Sequence, residues 1–578
     1  MSTVDLTFCI GGEAGQGVES SGLGFTQALT AAGLCAIGVP SYYSRIRGGH
    51  NFFTIRVSDA PVYAIHETVH VLLALNAETI ERHVARMVPG GAMVVDEGVA
   101  LDEGLVAGRD VRLLRAPLAR LAEEHGGRVM LNTAALAVAC ALVDFDLAYM
   151  FAVIDKNFGA RSAKIAAQNR EVAQAAFDWA RSEGGGPLPW ELAAQAAPQR
   201  VAIDGNQAFA MGALAAGCQF MAGYPMTPAT SVLEYGAAHA AEWGLVVKHA
   251  EDEIAAMNMV IGAAHAGVRA LVPTSGGGYD LMTEGTSLAG MTETPIVVFL
   301  AQRPGPATGL ATRTSQADLL LALFSSHGEF PRAVLAPHTP EECFACAVRA
   351  FNLAEKYQCV VIVLSDQYNA STIWARETAA FDFEGVRIDR GKWLSANELA
   401  ALESYQRFAL TEDGVSPRAR PGLGPKAVYP VTSDEHEPDG HITEDPDAVV
   451  AMYSKRLHKL EGIAAEMRPP LRFGPAEAEI TLLAWGSTYG AAYEAMEMLN
   501  ARGRSANLVQ FVDLWPFPAE AARAALDGAR RIVAVEGNAT GELAFLLKAE
   551  TGIVAEKLLK FDGRPFTPQY IVQRLEVN

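Results

Sequence analysis

Four short segments in the middle of the chain carry the side chains best suited to chemistry. They are GYPMTPAT (Gly223–Thr230), KHAEDEIAAMNMVIGAAHAG (Lys248–Gly267), PTSGGG (Pro273–Gly278) and AQRPGPATGLATRTSQADL (Ala301–Leu319). Each begins in or just after an apolar run typical of a buried strand. Because the carboxyl ends of parallel strands meet at one edge of a sheet, the four segments predict a shared ligand site there.

The acidic residues of the second segment lie where a strand pattern gives way to a helix pattern. Acids in the first helical turn gain about 0.3–1 kcal/mol from the helix dipole, so capping is the ordinary explanation for Asp252 and Glu253. Glu253 also fits a more specific role in acid–base chemistry, because it lies at a turn among Ala and Met residues that exclude water. A carboxyl group there exchanges a hydrogen bond with a heterocyclic nitrogen and shifts its tautomer, which is the acid–base work that thiamine diphosphate requires.

The other turns carry hydroxyl groups, glycines and arginines. Thr227 lies between two prolines, which predicts a helix N-cap with Pro228 at the first helical position; a hydroxyl directed at a ligand is the alternative. The TSGGG stretch either lets a ligand approach the backbone or forms a loose turn. Arg303 and Arg313 share a Pro/Gly-rich loop, where guanidinium groups suit carboxylates, although a single loop arginine is most often a surface charge.

The elements around these turns predict a multidomain α/β protein. Residues 1–183 form one α/β unit, with strands expected at Val4–Ile10, Phe52–Ser58, Val69–Leu75 and Ala92–Glu97, and residues 184–199 form a linker. Residues 200–384 alternate strands with small-residue helices, which predicts a mostly parallel, doubly wound sheet. Residues 385–475 are polar and irregular with one helix near 453–467, and residues 476–578 form a third α/β unit.

Three further patterns are open to two interpretations. GGEAGQG (Gly11–Gly17) follows a strand and precedes a helix, so it either binds an anion or allows close helix–strand packing. SRIRGGHN (Ser44–Asn51) is either a hairpin with solvated arginines or a contact to a cofactor or partner. The CxxC pair Cys343 and Cys346 lies in an amphipathic helix pattern, where both thiols share a buried face, and no second pair completes a metal site.

Composition excludes several classes of protein. The 578 residues carry a net charge of −20, which argues against nucleic-acid binding. No apolar run of 18 residues predicts a membrane span, and the N-terminus lacks the basic, then apolar, pattern of a signal peptide. Seven scattered cysteines fit a reducing compartment better than a disulfide scaffold, so we expect a cytoplasmic protein.

These residues resemble a known family. GGEAGQGVESSG and SRIRGGHNFFTIRVSD are similar to its γ domain, and the four central segments with VLSDQY are similar to its pyrimidine-binding domain. SDEHEPDGHITEDP, KRLHK, LLAWGSTYGAAYEA and VEGN are similar to the remainder, which has a transketolase-C-like α/β domain. The chain resembles the α subunit of a 2-oxoacid:ferredoxin oxidoreductase of the fused γ–α type, with 2-oxoglutarate:ferredoxin oxidoreductase as the most similar type.

The resemblance implies roles for individual residues. Glu253 would bond the aminopyrimidine of thiamine diphosphate and favour its imino form, and Thr227 would lie at both the cofactor and the substrate. Arg303 would bind the 1-carboxylate of the substrate, with Arg313 as a second acid contact. The remaining cofactor-binding positions would be Tyr224, Pro225, Thr274, Ser275 and Gly276. Met226 and Gly277 depart from the usual Ile and Pro of the family pattern.

The resemblance also implies a partner. The sequence has no GDG followed 25–30 residues later by NN and no cysteine set for an iron–sulfur cluster. A β subunit would therefore supply the diphosphate site, Mg²⁺ and a [4Fe–4S] cluster, in an (αβ)₂ enzyme that uses coenzyme A and reduces ferredoxin, or runs the reverse carboxylation.

Several alternatives stay open at this point. Pyruvate or another 2-oxoacid is an alternative substrate, and a decarboxylase without redox output or a nucleotide-binding scaffold is an alternative protein class. For 2-oxoglutarate, the second cationic contact would come from Arg313, His50, Arg45 or the β subunit. The γ domain would touch the cofactor, coenzyme A or only a dimer interface.

Overall fold

The computed structural model describes residues 4–43, 49–160 and 162–577 of the chain. The strands within these ranges are β1 Asp5–Glu13, β2 Cys35–Ser41, β3 His50–Ser58, β4 Val69–Ala74, β5 Met87–Asp96, β6 Val111–Ala116, β7 Arg200–Ile203, β8 Cys218–Gly223, β9 Val246–His249, β10 Arg269–Thr274, β11 Ile296–Gln302, β12 Arg332–Leu335, β13 Val360–Asp366, β14 Ile373–Glu377, β15 Leu471–Phe473, β16 Ile480–Trp485, β17 Ala506–Phe511, β18 Asp513–Trp515, β19 Arg531–Glu536 and β20 Glu556–Leu559.

The α-helices alternate with these strands along most of the chain. They are α1 Val18–Ala31, α2 Ala77–His83, α3 Leu118–His125, α4 Leu131–Leu142, α5 Leu147–Ile154, α6 Ala163–Ser182, α7 Gly205–Ala215, α8 Thr230–Trp243, α9 Glu253–His265, α10 Gly276–Met291, α11 Leu319–Phe324, α12 Pro340–Tyr357, α13 Gln367–Ser371, α14 Ala396–Ala401, α15 Pro446–Ala465, α16 Tyr489–Ala501, α17 Ala519–Leu526, α18 Glu542–Thr551 and α19 Pro568–Val577. None of the helices in the described ranges combines the length and the apolar character that a bilayer crossing requires.

The chain divides into two compact units. The first contains Met1–Asp204, Ser371–Ala380 and Thr567–Asn578, and the second contains Gly205–Ala370 and Phe381–Phe566. The expected α/β class with several mostly parallel sheets is confirmed. The division differs from the expected boundaries, because one short segment near residue 375 and the last helix belong to the first unit rather than to the domains that precede them in sequence.

The first unit is built on an eight-stranded sheet with the order β6-β5-β4-β1-β3-β2-β14-β7. The strands β6, β5, β4 and β1 are parallel, whereas β3, β2, β14 and β7 pair antiparallel. The four strands expected in residues 1–183 are present, and β2, β6, β7 and β14 were not predicted. Helices α1 and α4 pack their apolar residues on this sheet, where Phe8 and Phe25 meet edge to face at 5.2 Å.

The expected linker at 184–199 is irregular, as predicted, but it is held against the first unit. The Leu188 and Leu192 amides donate to the carbonyls of Leu142 and Val143 at 2.7 and 2.8 Å, and the Gln195 amide donates to Ala32. The chain then enters β7, which pairs with β14 from more than 160 residues later. Sequence pattern within one segment carries no information about such a distant antiparallel partner.

The second unit contains a seven-stranded sheet with the order β18-β12-β13-β11-β10-β8-β9. Six neighbouring strands are parallel and the edge strand β18 is antiparallel. Helices cover both faces, because Phe209 of α7 contacts Phe299 while the adjacent Val298 packs with α9 and α10 on the other face. The predicted mostly parallel, doubly wound sheet is confirmed.

A five-stranded sheet with the order β15-β17-β16-β19-β20 completes the second unit. Strands β17, β16, β19 and β20 run parallel, and the edge strand β15 is antiparallel to β17. Between the two sheets in sequence, residues 385–470 are mostly irregular apart from α14 and α15. Buried ion pairs fix this segment: Lys455 and Lys459 of α15 both contact Glu293, at 2.5 Å for Lys455 Nζ to Glu293 Oε1.

Candidate functional site

The predicted site segments meet at the carboxyl edge of the seven-stranded sheet. Strands β11, β10 and β8 are neighbours in that order, with β9 beyond β8 at the sheet edge. Residues 224–229 follow β8, 250–252 follow β9, Ser275 follows β10 and 303–318 follow β11. This edge of a parallel sheet is where α/β proteins bind ligands, so the topology places all four segments at one site.

Glu253 is the first residue of α9, and its side chain is buried, with only 4% of its surface exposed. The N-cap function belongs to Asp252, whose carboxylate accepts from the Ala255 amide at 2.7 Å. Glu253 is therefore not required for capping, and its Oε1 atom is covered without a hydrogen-bond partner among the described residues. A covered, unpartnered carboxyl oxygen costs free energy unless a ligand satisfies it.

The glycine triplet after β10 brings two carboxyl groups onto the start of α10. A Cβ on Gly278 would lie 2.8 Å from Glu253 Oε1, and a Cβ on Gly276 would lie 2.6 Å from Asp318 Oδ2. A side chain at either position would displace the carboxyl group that rests there. Gly277 has no atom closer than 3.8 Å to such a Cβ. The segment is thus the first turn of a helix rather than the loose turn that the sequence left open.

Thr274 and Ser275 lie at the base of this arrangement, and both are fully buried. Ser275 is the N-cap of α10, but its side chain makes no capping bond; the backbone carbonyl accepts from the Tyr279 amide at 2.8 Å. The Ser275 Oγ atom is covered and has no partner within the described residues. Ser275 therefore contributes a second polar atom that is unsatisfied at the same sheet edge.

The turn after β8 differs from its prediction. Helix α8 begins at Thr230 with Ala229 as its N-cap, so Thr227 is not a cap and Pro228 is not at the first helical position. The Thr227–Pro228 peptide bond is cis. The turn is held instead from outside by Asn206, whose Nδ2 donates to the Pro228 carbonyl at 2.8 Å. Thr227 is half-buried, whereas Tyr224 and Pro225 are exposed.

Arg303 joins the β8 and β11 turns. Its guanidinium NH1 donates to the Thr227 carbonyl at 2.8 Å, and its Nε is covered without a partner among the described residues. Burial lowers the pKa of Arg303, an effect that the nearby Asp318 opposes. The structure therefore brings together Arg303 and Thr227, two residues that the sequence assigned to one site from 76 positions apart.

The other proposed cationic contacts have different positions. Arg313 lies further along the same loop, where it packs against Gly563; a Cβ there would come within 2.9 Å of the Arg313 Cβ. His50 is buried in the first unit beside His83, with 2.8 Å between their Nε2 atoms. Burial lowers the pKa of His50, which disfavours the charged form of its ring. Arg45 lies outside the described residues.

Sequence reasoning missed Asp318, Gln302 and Asn206. Asp318 precedes the apolar run LLLALF, a pattern that predicts an N-cap, and it is the N-cap of α11 but makes no side-chain capping bond. Its amide instead donates to Gln302 Oε1 at 3.0 Å. Burial raises the pKa of Asp318 to about 7, with Glu542 and Asp280 adding to the rise and Arg303 opposing it.

Packing contacts are present at two of the remaining sequence patterns, GGEAGQG and the CxxC pair. A Cβ on Gly11 would lie 2.5 Å from Thr79, so this glycine allows close contact with α2. Strands β2 and β3 pair antiparallel on either side of the SRIRGGHN pattern, whose residues 44–48 lie outside the described residues. Cys343 and Cys346 are buried thiols on one face of α12, as predicted. In the described ranges, no three His, Cys, Asp or Glu side chains are placed to hold a metal ion.

The residues present fit one half of a thiamine diphosphate site. Glu253 offers a covered carboxyl oxygen for a ring nitrogen, Ser275 offers a hydroxyl, and Arg303 offers a guanidinium beside Thr227. Comparison with protein-family models agrees with this assignment. Residues 211–455 match the thiamine-diphosphate-binding domain of pyruvate flavodoxin/ferredoxin oxidoreductase, 7–179 match the pyruvate ferredoxin/flavodoxin oxidoreductase domain, and 478–571 match core domain II of pyruvate:ferredoxin oxidoreductase.

Full-length relatives extend the comparison. A 2-oxoacid:ferredoxin oxidoreductase α subunit from Aeropyrum pernix is 34% identical over 97% of this chain and 96% of its own length. The 2-oxoglutarate synthase subunit KorA of Methanothermobacter thermautotrophicus is 33% identical over 64% of this chain and 97% of its own length. The solved 2-oxoglutarate:ferredoxin oxidoreductase of Magnetococcus marinus, with 2-oxoglutarate, coenzyme A and succinyl-CoA bound, has a TM-score of 0.92 at 32% identity and covers 99% of both chains. This chain therefore belongs to the α subunits of the 2-oxoacid:ferredoxin oxidoreductases, a family of oxidoreductases that use thiamine diphosphate.

Proposed function

We propose that this chain is the α subunit of an enzyme that converts 2-oxoglutarate and coenzyme A to succinyl-CoA and CO₂. Two electrons and one proton leave in this reaction, and two ferredoxin molecules accept the electrons. The observation that supports the cofactor site is the covered Glu253 carboxyl at the carboxyl edge of the sheet. The choice of 2-oxoglutarate is supported by the ligands bound in the Magnetococcus marinus relative and by the KorA relatives.

In this proposal Glu253 holds the aminopyrimidine ring of the cofactor. Its Oε1 atom exchanges a proton with a ring nitrogen, and the surrounding apolar residues strengthen that hydrogen bond by excluding water. When bound, thiamine diphosphate supplies the carbon nucleophile and the electron sink that decarboxylation of a 2-oxoacid needs. The buried Thr274 and Ser275, the backbone at Gly276 and the exposed Tyr224 and Pro225 would be the other residues that hold the cofactor.

Arg303 binds the 1-carboxylate of the substrate. Its bond to the Thr227 carbonyl uses one guanidinium nitrogen and fixes the plane of the group, while Nε stays available. A fixed guanidinium binds a carboxylate with two hydrogen bonds and little further loss of side-chain entropy. Thr227 would direct its hydroxyl at the reacting end of the substrate. Arg313 remains the candidate of this chain for the second carboxylate.

A β subunit completes the site. We propose that it carries the diphosphate- and Mg²⁺-binding residues and the [4Fe–4S] cluster, in an (αβ)₂ assembly. Ile254 of α9 and Leu281 of α10 are 47% and 50% exposed beside Glu253, which supports an apolar partner surface there. The seven buried free thiols fit a reducing compartment, so we place the enzyme in the cytoplasm.

The variant Glu253→Gln tests this function in the complex with the β subunit. We expect turnover to fall about 10²–10⁴-fold, which is the range for loss of a general acid–base group. The neighbouring exposed Glu251 provides the matched control, and Glu251→Gln is expected to retain turnover. Thermal melting verifies that both variants fold. Near-normal ferredoxin reduction by Glu253→Gln would overturn the assignment.

A substrate panel tests the specificity. Rates with 2-oxoglutarate, pyruvate and branched 2-oxoacids are compared with ferredoxin or viologen as acceptor. The proposal expects the highest kcat/KM for 2-oxoglutarate. Preference for pyruvate would show that this chain belongs to a pyruvate-oxidising member of the family. Release of CO₂ without reduction of the acceptor would indicate a decarboxylase without redox output. Calorimetry with thiamine diphosphate, NAD and ATP distinguishes both from a nucleotide-binding scaffold.

A further inference from the structure

Asp318 belongs to a group of polar atoms that surround the substrate end of the site. Its Oδ2 atom, the Arg303 Nε and the Ser275 Oγ are all covered, and none has a hydrogen-bond partner among the described residues. Ser275 and Arg303 directly follow β10 and β11, two adjacent parallel strands, and the Asp318 amide donates to Gln302 at the end of β11. Buried donors and acceptors are normally satisfied, so a group of three unsatisfied atoms at one sheet edge is consistent with a ligand-binding site.

The position of Asp318 is set by the backbone and not by side-chain pairing. Its amide donates to Gln302 Oε1 at 3.0 Å, and Gln302 is anchored to the Ser365 carbonyl at 3.0 Å. Gln302 is also the residue before Arg303, so Asp318 is tied to the strand end from which the guanidinium emerges. Gly276 lets the carboxyl group rest against the first turn of α10.

The charges that face Asp318 come from three elements. Arg303 lies on the segment after β11, Asp280 on α10 and Glu542 at the start of α18. Glu542 accepts from the Leu320 amide at 3.0 Å, which places it at the same helix start as Asp318. Among the described residues, two acids therefore disfavour the carboxylate of Asp318, and Arg303 favours it.

We propose that Asp318 is a positioning residue for Arg303. When Asp318 is protonated, the Arg303 guanidinium binds the 1-carboxylate of the 2-oxoacid. When Asp318 is ionised, its carboxylate pairs with that guanidinium instead. The proposal rests on the proposed function of Arg303. It follows that binding of the 2-oxoacid is coupled to uptake of a proton by Asp318 above neutral pH. The pKa of Asp318 of about 7 places this coupling in the working range of the enzyme.

The first experiment measures KM and kcat for 2-oxoglutarate between pH 6 and 9, with the complex of this chain and its β subunit. The wild-type KM is expected to rise with pH above about 7, up to tenfold per pH unit, without a parallel change in kcat. In Asp318→Asn this rise is absent, because the amide has no ionised form. An unchanged rise of KM with pH in Asp318→Asn overturns the proposal.

The second experiment needs no turnover. Calorimetry of 2-hydroxyglutarate binding in buffers of different ionisation enthalpy reports the number of protons taken up. At pH 8 the wild-type complex is expected to take up close to one proton more per site than Asp318→Asn. Equal proton uptake by the two proteins contradicts the inference, whatever the rates are.

A third variant covers the case in which Asp318→Asn does not fold. Glu542→Gln removes an acid that disfavours the Asp318 carboxylate, so the rise of KM is expected to move to lower pH. An unshifted profile contradicts the inference. Failure of the proposed function is distinguishable from these outcomes, because the wild-type complex would then show no turnover of a 2-oxoacid at any pH.

Discussion

Replacing Gly278 with alanine tests whether the backbone of α10 positions Glu253. A Cβ at this position would lie 2.2 Å from Thr274 Oγ1, 2.8 Å from Glu253 Oε1 and 2.9 Å from Glu253 Cγ. The Thr274 hydroxyl is on a short side chain with little freedom in a fully buried position. The Glu253 carboxyl must therefore retreat by about 0.6 Å to reach an ordinary contact distance of 3.4 Å.

The stability change combines two opposing terms. Alanine gains about 0.5–1 kcal/mol over glycine within a helix, whereas overpacking of a buried contact costs about 1–3 kcal/mol. We expect Gly278→Ala to lower the free energy of unfolding by about 1–2 kcal/mol. Gly277→Ala is the matched control, because a Cβ on Gly277 would lie 3.8 Å from the nearest atom, the Ala307 carbonyl oxygen. This variant is expected to raise the free energy of unfolding by about 0.5–1 kcal/mol.

The effect on turnover is larger than the effect on stability. A misplacement of about 1 Å at a reacting group costs up to about 100-fold in rate, so a displaced Glu253 is expected to reduce kcat by about 10- to 100-fold. Denaturant unfolding of the chain and ferredoxin reduction by the complex measure the two quantities. The reasoning is refuted if Gly278→Ala keeps wild-type turnover, or if Gly277→Ala is equally damaging.

Two further predictions concern buried charges. Burial alone would raise the pKa of Glu293, but the charges of Lys455, Lys459 and Arg407 outweigh burial and hold it well below its usual range. Glu293→Gln leaves these cations unpaired and is expected to lower the free energy of unfolding by about 3–5 kcal/mol in denaturant titrations; a loss under 1 kcal/mol would contradict this. Burial raises the pKa of Glu542 from 4.5 to about 7. Because its folded pKa lies above its unfolded pKa, the stability from this group is complete below pH 4.5 and declines as the pH rises to about 7. Glu542→Gln is therefore expected to melt at increasingly higher temperature than the wild type between pH 4.5 and 7, and a constant difference would count against the shift.

The fold and the location of several candidate residues at one sheet edge were predictable because their signals are local. Apolar runs such as VVIVLSD and AEITLLAW are long enough to predict strands, and the strands at the centre of each sheet were found from them. Glu253 and Arg303 were found because an acid at a helix start and an arginine after a strand are each visible within a short segment. Parallel-sheet topology then brought them to one edge.

The parts that were missed depend on contacts between distant segments. Strands β7 and β14 pair across more than 160 residues, and neither has a strong strand pattern of its own. Of the two interpretations of Thr227, the N-cap is wrong, because α8 starts at Thr230 and Asn206 holds the turn, and the sequence reveals neither fact. Asp318 has the sequence signal of an ordinary cap, and only the structure shows that its carboxyl group makes no capping bond.

The start of α10 supports two acids with different properties. Glu253 and Asp318 come from α9 and α11, yet each rests on a glycine of the same helical turn. Within the part of the chain that the structure describes, the covered oxygen of each acid has no hydrogen-bond partner, so each is open to a ligand. In the proposed mechanism, the contacts at Gly276 and Gly278 would let one acid serve the cofactor and the other serve the cation that binds the substrate.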